Sequence, residues 1–98
     1  MKINKVFILA FCFATLSAFA QNVEFKAGNF KDKKEEFKKA VAAIKTGEEF
    51  LELANLDLFK NVDARVNFKK ALAQFEIAQN LNPSNALNNL RVGICIYN

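Results

Sequence analysis

An apolar leader takes up the first twenty of the 98 residues and leaves about 78 residues to fold. After a basic start, residues 6–16 are almost unbroken apolar, and Ala18 and Ala20 follow, separated by one residue. This is the layout of a secretory signal peptide. Because the run is shorter than the ~20 residues needed to span a bilayer, we predict cleavage between Ala20 and Gln21, with a membrane anchor as the alternative. The remainder is long enough for one small domain.

The side chains outside the leader offer little for catalysis. The chain has no His, and beyond the leader it has one Ser (Ser84), one Thr (Thr46) and one cysteine, Cys95. General acid–base and nucleophilic chemistry need such groups in pairs, so we predict a protein that is not an enzyme and has no cofactor. A single cysteine forms no disulfide within the chain. Cys95 lies in an apolar run, which predicts a buried core residue, with a reactive or intermolecular role as the alternative.

The charges are mixed along the mature chain. Without Lys2 and Lys5 it has 12 basic and 10 acidic residues, a net charge of +2. Lysine and glutamate alternate between residues 31 and 39, which is typical of a solvated helix face and not of a basic stripe that binds nucleic acid. Carboxylates at 48, 49 and 52 lack the loop spacing of a Ca²⁺ site, so we predict no metal site.

Helical periodicity follows an aperiodic arm at residues 21–31. Asp32 and Glu35 fit a capping box, which predicts that the first helix runs from about Lys33 to about Ala54. Its apolar residues fall at helical spacing on one face. They are Phe37, Ala40, Val41, Ile44, Gly47, Leu51 and Ala54. Residues 55–63 are ambiguous between a loop and a short helical turn.

Two further helices complete an all-α prediction. The second begins at about Ala64 and ends at Leu81, because Asn82 precedes Pro83 and the residue before proline avoids the helical region. Its apolar face comprises Phe68, Ala71, Leu72, Phe75, Ala78 and Leu81. Ser84-Asn85 is expected to cap a third helix that begins at Ala86. On that helix Leu90, Ile94 and Tyr97 share a stripe, with Val92 and Ile96 beside it.

The second helix resembles the second half of a tetratricopeptide repeat. The matching pattern is Ala71-x3-Phe75-x2-Ala78-x4-Pro83. In this pattern the small alanines let two helices approach closely, the phenylalanine fills the space between them, and the proline ends the helix. The resemblance implies an antiparallel helical hairpin followed by the first helix of a second repeat, spanning residues 32–98. A plain helical hairpin unrelated to the repeat family is the alternative.

The neighbouring segments match the repeat pattern less fully. Gly93, ten residues after Pro83, stands where the family's helix-contact glycine belongs, but the pattern's tryptophan is replaced by Asn89. In the first repeat Gly47 and Phe50 resemble the family's Gly-x2-Tyr. The alanine of the second helix comes 21 residues after Phe50, so residues 55–66 look like an insertion of about 12 residues. Either the first helix is extended or an extra turn lies between the helices.

Short stretches from the leader onward resemble the N-terminus of OmpA-family cell-envelope proteins of Bacteroidota-type Gram-negative bacteria. The stretches are 20–26, 29–40, 44–47, 82–86 and 92–95. The family implies a signal peptide and tetratricopeptide-like repeats, then a propeller of WD40-like repeats and an OmpA-type domain that binds peptidoglycan. Neither the propeller nor the peptidoglycan-binding residues occur in these 98 residues. The resemblance implies export to the periplasm or outer membrane, and a role in secretion or gliding machinery.

The function predicted from these patterns is a protein–protein interaction module. A repeat array binds its partner in the concave groove formed by its successive first helices. The candidate groove residues are Lys45, Glu49, Asn88 and Arg91. Two alternatives stay open: a small self-contained periplasmic helical protein, and a protein that binds a membrane surface without a span in its mature part.

The third helix also predicts a longer natural chain. Its apolar stripe has no glycine or proline stop before Asn98, and the first helix of a repeat needs a second helix to cover it. We therefore expect the natural protein to continue past Asn98. The alternative is that the third helix folds back as a cap on the first two.

Overall fold

The computed structural model of the chain describes residues 22–98, in which all the regular structure is helical. A single 3₁₀ turn (Ala27–Phe30) precedes three helices, which we name α1 (Lys34–Phe59), α2 (Arg65–Leu81) and α3 (Ala86–Tyr97). The predicted all-α class is confirmed. The predicted leader and its cleavage residues Ala18, Ala20 and Gln21 lie outside the described residues.

Helices α1 and α2 form an antiparallel pair. Asn67 donates to Asp57 at 2.7 Å, Lys70 lies over the ring of Phe50, and the ring of Phe75 lies against Gly47. Residue numbers rise along α2 as they fall along α1, which fixes the antiparallel direction. Helices α2 and α3 are antiparallel as well. Gln79, near the end of α2, donates to the side chain of Asn89, near the start of α3, at 3.1 Å, and Phe68, near the start of α2, lines one pocket with Cys95, near the end of α3.

One apolar core joins all three helices. It contains Phe68, Ala71 and Phe75 of α2 together with residues of its two neighbours. Helix α1 contributes Ala54, and α3 contributes Val92 and Cys95. The helical spacing identified in the sequence therefore gives the faces along which α1 and α2 pack. Cys95 is buried in this core, as predicted from its apolar run.

Residues 55–59 continue α1, so the helix ends five residues later than predicted. The helix ends at Phe59, and Asn61, two residues later, has a positive φ of 56°. Asparagine tolerates this conformation better than most residues. The N–H of Asn61 donates to Leu58 at 3.2 Å, and the N–H of Val62 donates to Asp57 at 2.8 Å. These two bonds form a Schellman motif. The supposed insertion is therefore mostly the last part of α1 and the short connection to α2.

The predicted capping box at the start of α1 is wrong. The helix begins at Lys34, its N-cap is Lys33, and no side chain caps it. The N–H of Lys33 instead donates to the carbonyl of Phe30 at 3.0 Å, so the 3₁₀ turn leads almost directly into the helix. Phe30 stacks on Phe37, with ring centroids 5.6 Å apart, and this contact packs the 3₁₀ turn against the first turn of α1.

The N-terminal arm, residues 22–26, docks on the connection between α2 and α3. The carbonyl of Val23 accepts hydrogen bonds from the side-chain amides of Asn82 at 2.7 Å and Asn85 at 2.9 Å. The side-chain oxygen of Asn22 accepts from the N–H of Ala86 at 2.8 Å. The arm therefore satisfies polar groups at both helix ends, across some 60 residues of sequence.

We expect Asn82→Ala to destabilise the protein by about 0.5–1.5 kcal/mol, because it removes one of the two side-chain donors to the partly buried carbonyl of Val23. The urea midpoint measures the loss of stability, and hydrogen exchange at Ala86 reports whether the arm detaches. Asn80→Ala is the control, since Asn80 is exposed on α2. Equal midpoints for Asn82→Ala and the parent would show that the bond between Asn82 and the arm contributes nothing to stability.

Candidate interaction surface

The glycine of the first predicted repeat lies where two helices meet. Gly47 is buried, and a Cβ built on it would lie 2.8–3.0 Å from three ring carbons of Phe75. Phe75 has no exposed surface, so its ring is held by the surrounding core. The absence of a side chain at Gly47 is what lets α1 and the Phe75 ring come into contact.

The other predicted packing residues divide into two groups. Ala71 and Ala78 are wholly buried on α2, and Phe50 is half-buried beneath Lys70. Pro83 is exposed. A Cβ on Gly93 would meet no heavy atom within 4 Å, so this glycine makes no close helix contact among the described residues.

Asn88 is a core residue and does not line an open groove. Its side chain has no exposed surface. Its amide donates to the backbone carbonyl of Phe75 at 3.0 Å, which ties α3 to α2, while its Oδ1 has no hydrogen-bond partner among the described residues. The prediction that Asn88 contacts a partner is therefore corrected: the helical spacing that it shares with Val92 and Cys95 turns it toward α2.

Arg91 connects α3 with α1 through Glu48. Its guanidinium donates to the carboxylate of Glu48 at 2.5 Å and lies 5.7 Å from the centroid of the Phe75 ring. The arginine side chain is 21% exposed, whereas that of Glu48 is 49% exposed. The predicted positions Lys45 and Glu49 lie on α1 three residues before and one residue after Glu48, and both are exposed. Glu48 was missed as a bridging residue because the sequence shows no pairing across 43 positions.

Exposed apolar side chains cover the outer face of α3. We call this face the α3 stripe, and it comprises Leu87, Leu90, Ile94 and Tyr97. These four residues are 38% to 91% exposed. The buried face of the same helix comprises Asn88, Val92 and Cys95. Helix α3 is therefore apolar on two opposite faces, and only one of them packs against α2.

The titratable groups show a local ion pair and a buried thiol. Asp63 accepts the N–H of Arg65 at 3.0 Å and also binds the guanidinium of that residue. These hydrogen bonds lower the pKa of Asp63 from 3.8 to about 2. Burial raises the pKa of the Cys95 thiol, so this thiol stays protonated at neutral pH and is a poor nucleophile.

We expect the Asp63 carboxylate to make folding stability depend on pH in the acid range. Because its pKa is lower in the folded chain, its contribution is complete above the unfolded value of 3.8 and is lost as the pH falls toward 2. Denaturation of the parent and of Asp63→Asn across this range measures the difference. The two proteins should converge in stability toward pH 2, and a difference that does not change with pH would contradict the assignment.

Among residues 22–98, the helices lack the combination of length and apolar character that a membrane span requires. No group of three or more His, Cys, Asp or Glu side chains within the same range is placed to hold a metal ion.

Comparison with known proteins gives no relative from which to assign a role. No family model matches the chain, and no curated protein or solved structure matches it significantly.

Proposed function

We propose that the chain is a non-enzymatic, exported module of tetratricopeptide-like type that binds another protein. The helical hairpin supports this proposal, because the residues of the repeat pattern, Ala71, Phe75 and Ala78, are the ones that pack α2 against its neighbours. Gly47 lies in close contact with Phe75, at a position where the repeat pattern implies that the two helices of a repeat approach each other.

The observation that carries the proposal is the contact between Arg91 and Glu48. It joins α1 to α3, which would be the first helices of two successive repeats and therefore the walls of one groove. Lys45 and Glu49 of α1 are exposed close to this contact. They offer a partner both signs of charge at one wall of the groove.

The cellular setting of the proposal rests on the leader and on the resemblance to OmpA-family envelope proteins. We place the protein in the periplasm or at the outer membrane, as the N-terminal part of a protein of the secretion or gliding machinery. Any binding to peptidoglycan would belong to a domain outside this chain. Mass spectrometry of the exported protein tests the setting: an N-terminus at Gln21 supports it, and one at Met1 would make the leader an anchor.

Site-specific photocrosslinking in the native envelope tests the groove. A photoreactive residue at position 45 or 49 should capture the same protein, and one at position 69, which is exposed on α2, should not. Arg91→Ala should weaken the capture, because the variant lacks the hydrogen bond to Glu48 that joins α3 to α1. Capture that is equal from all three positions, or unchanged in Arg91→Ala, would contradict binding in this groove.

A further inference from the structure

We propose that the α3 stripe is the surface through which two copies of this chain associate, with the two α3 helices antiparallel across a twofold axis. Among the described helices, α3 has the largest set of exposed apolar side chains at a regular spacing. Its residues are Leu87, Leu90, Ile94 and Tyr97, at successive intervals of 3, 4 and 3. These intervals are those of the a and d positions of two heptads, the seam along which helices pair.

The spacing of the stripe is symmetric about Val92. In an antiparallel pair centred there, Leu90 faces Ile94 of the second copy, and Leu87 faces its Tyr97. Every side chain of the stripe thus meets an apolar one, and the same patch serves both copies, as a twofold interface requires. Tyr97 is exposed, and tyrosine is a residue type that often anchors such contacts.

Charge does not oppose this pairing. Arg91 is the one residue of Ala86–Tyr97 that is charged at neutral pH, and Glu48 of the same copy neutralises it. The flanks of the stripe include two small residues, Ala86 and Gly93, and a Cβ on Gly93 would meet nothing within 4 Å. Two α3 helices can therefore approach closely without bringing like charges together.

The exposed area sets the strength of association. Side chains of this size at these exposures present on the order of 400 Å² of apolar surface. A stable interface takes about 800 Å² from each partner. Because the α3 stripe offers about half of that area, we expect a weak dimer that forms only at high protein concentration.

Sedimentation equilibrium tests the association on residues 22–98, which contain the three helices and their shared core. Between about 5 µM and about 1 mM the parent should pass from monomer to dimer, and Leu90→Glu should stay monomeric. Leu53→Glu is the matched control, because Leu53 is exposed to a similar degree on α1. A parent that is monomeric throughout, or a dimer that Leu90→Glu leaves intact or that Leu53→Glu disrupts equally, would overturn the proposal.

Disulfide trapping tests the antiparallel direction in a Cys95→Ala background. A mixture of Leu90→Cys and Ile94→Cys chains should crosslink several-fold faster than either chain alone, because these positions face each other. Faster crosslinking of Leu90→Cys with itself would indicate a parallel pair and overturn the proposed arrangement. Circular dichroism of each variant confirms that it is folded.

Discussion

Phe75→Ala is expected to destabilise the protein by about 3–5 kcal/mol, the cost of removing a buried phenylalanine and leaving a cavity. Phe75 has no exposed surface and contacts Gly47 of α1, and its backbone carbonyl accepts the Asn88 amide of α3. A chain of this size has a total stability of only about 5 kcal/mol. The variant should therefore be largely or partly unfolded at room temperature, as circular dichroism and urea denaturation will show.

Phe59→Ala provides the control for this prediction. Phe59 lies at the end of α1 and is 86% exposed, so its replacement should change the stability by no more than about 0.5 kcal/mol. If Phe75→Ala and Phe59→Ala denature at the same urea concentration, Phe75 does not hold the three helices together and the packing described here is wrong.

Gly47→Ala should destabilise the protein even though alanine favours helices. The added Cβ would lie 2.8 Å from the nearest ring carbon of Phe75, and overpacking of this kind costs about 1–3 kcal/mol. The gain in helix propensity offsets at most about 1 kcal/mol of that cost. Denaturation curves should therefore show a lower midpoint than the parent.

Gly93→Ala is the matched substitution with the opposite expected sign. It makes the same chemical change within a helix, but its Cβ would meet no heavy atom within 4 Å, so the propensity gain of up to about 1 kcal/mol should remain. If the clash with Phe75 is the cause, Gly47→Ala should cost less stability in a Phe75→Leu background than in the parent. Destabilisation of the same size from both alanines would show that contact with Phe75 is not responsible.

Two helix boundaries, the end of α2 and the start of α3, were predictable from local chemistry. The end of α2 follows from Asn82-Pro83, and the start of α3 follows from Asn85, whose side chain caps the helix by accepting the N–H of Asn88 at 2.8 Å. The end of α1 was not predictable in the same way. Its stop is Asn61 in a left-handed conformation, and asparagine is common enough in other conformations that its presence alone does not mark a helix end.

The interaction surface was predictable only in part. Exposure of Lys45 and Glu49 follows from their distance from the apolar face of α1. Asn88 was misassigned because a polar side chain suggests a solvent-facing position, whereas this amide is buried and bonds the carbonyl of Phe75. Its burial depends on how α3 is rotated about its own axis against α2. With two apolar faces on α3, the sequence does not determine that rotation.

The docked arm imposes an order on the formation of the fold. Val23 is made near the beginning of synthesis, but the side chains that bind its carbonyl, Asn82 and Asn85, are made about 60 residues later. The hairpin of α1 and α2 depends on contacts closer in sequence and can form earlier, since short loops close at lower entropic cost. The arm, residues 22–26, is therefore among the last segments to find its place, because it cannot dock until Asn82, Asn85 and the start of α3 have come together.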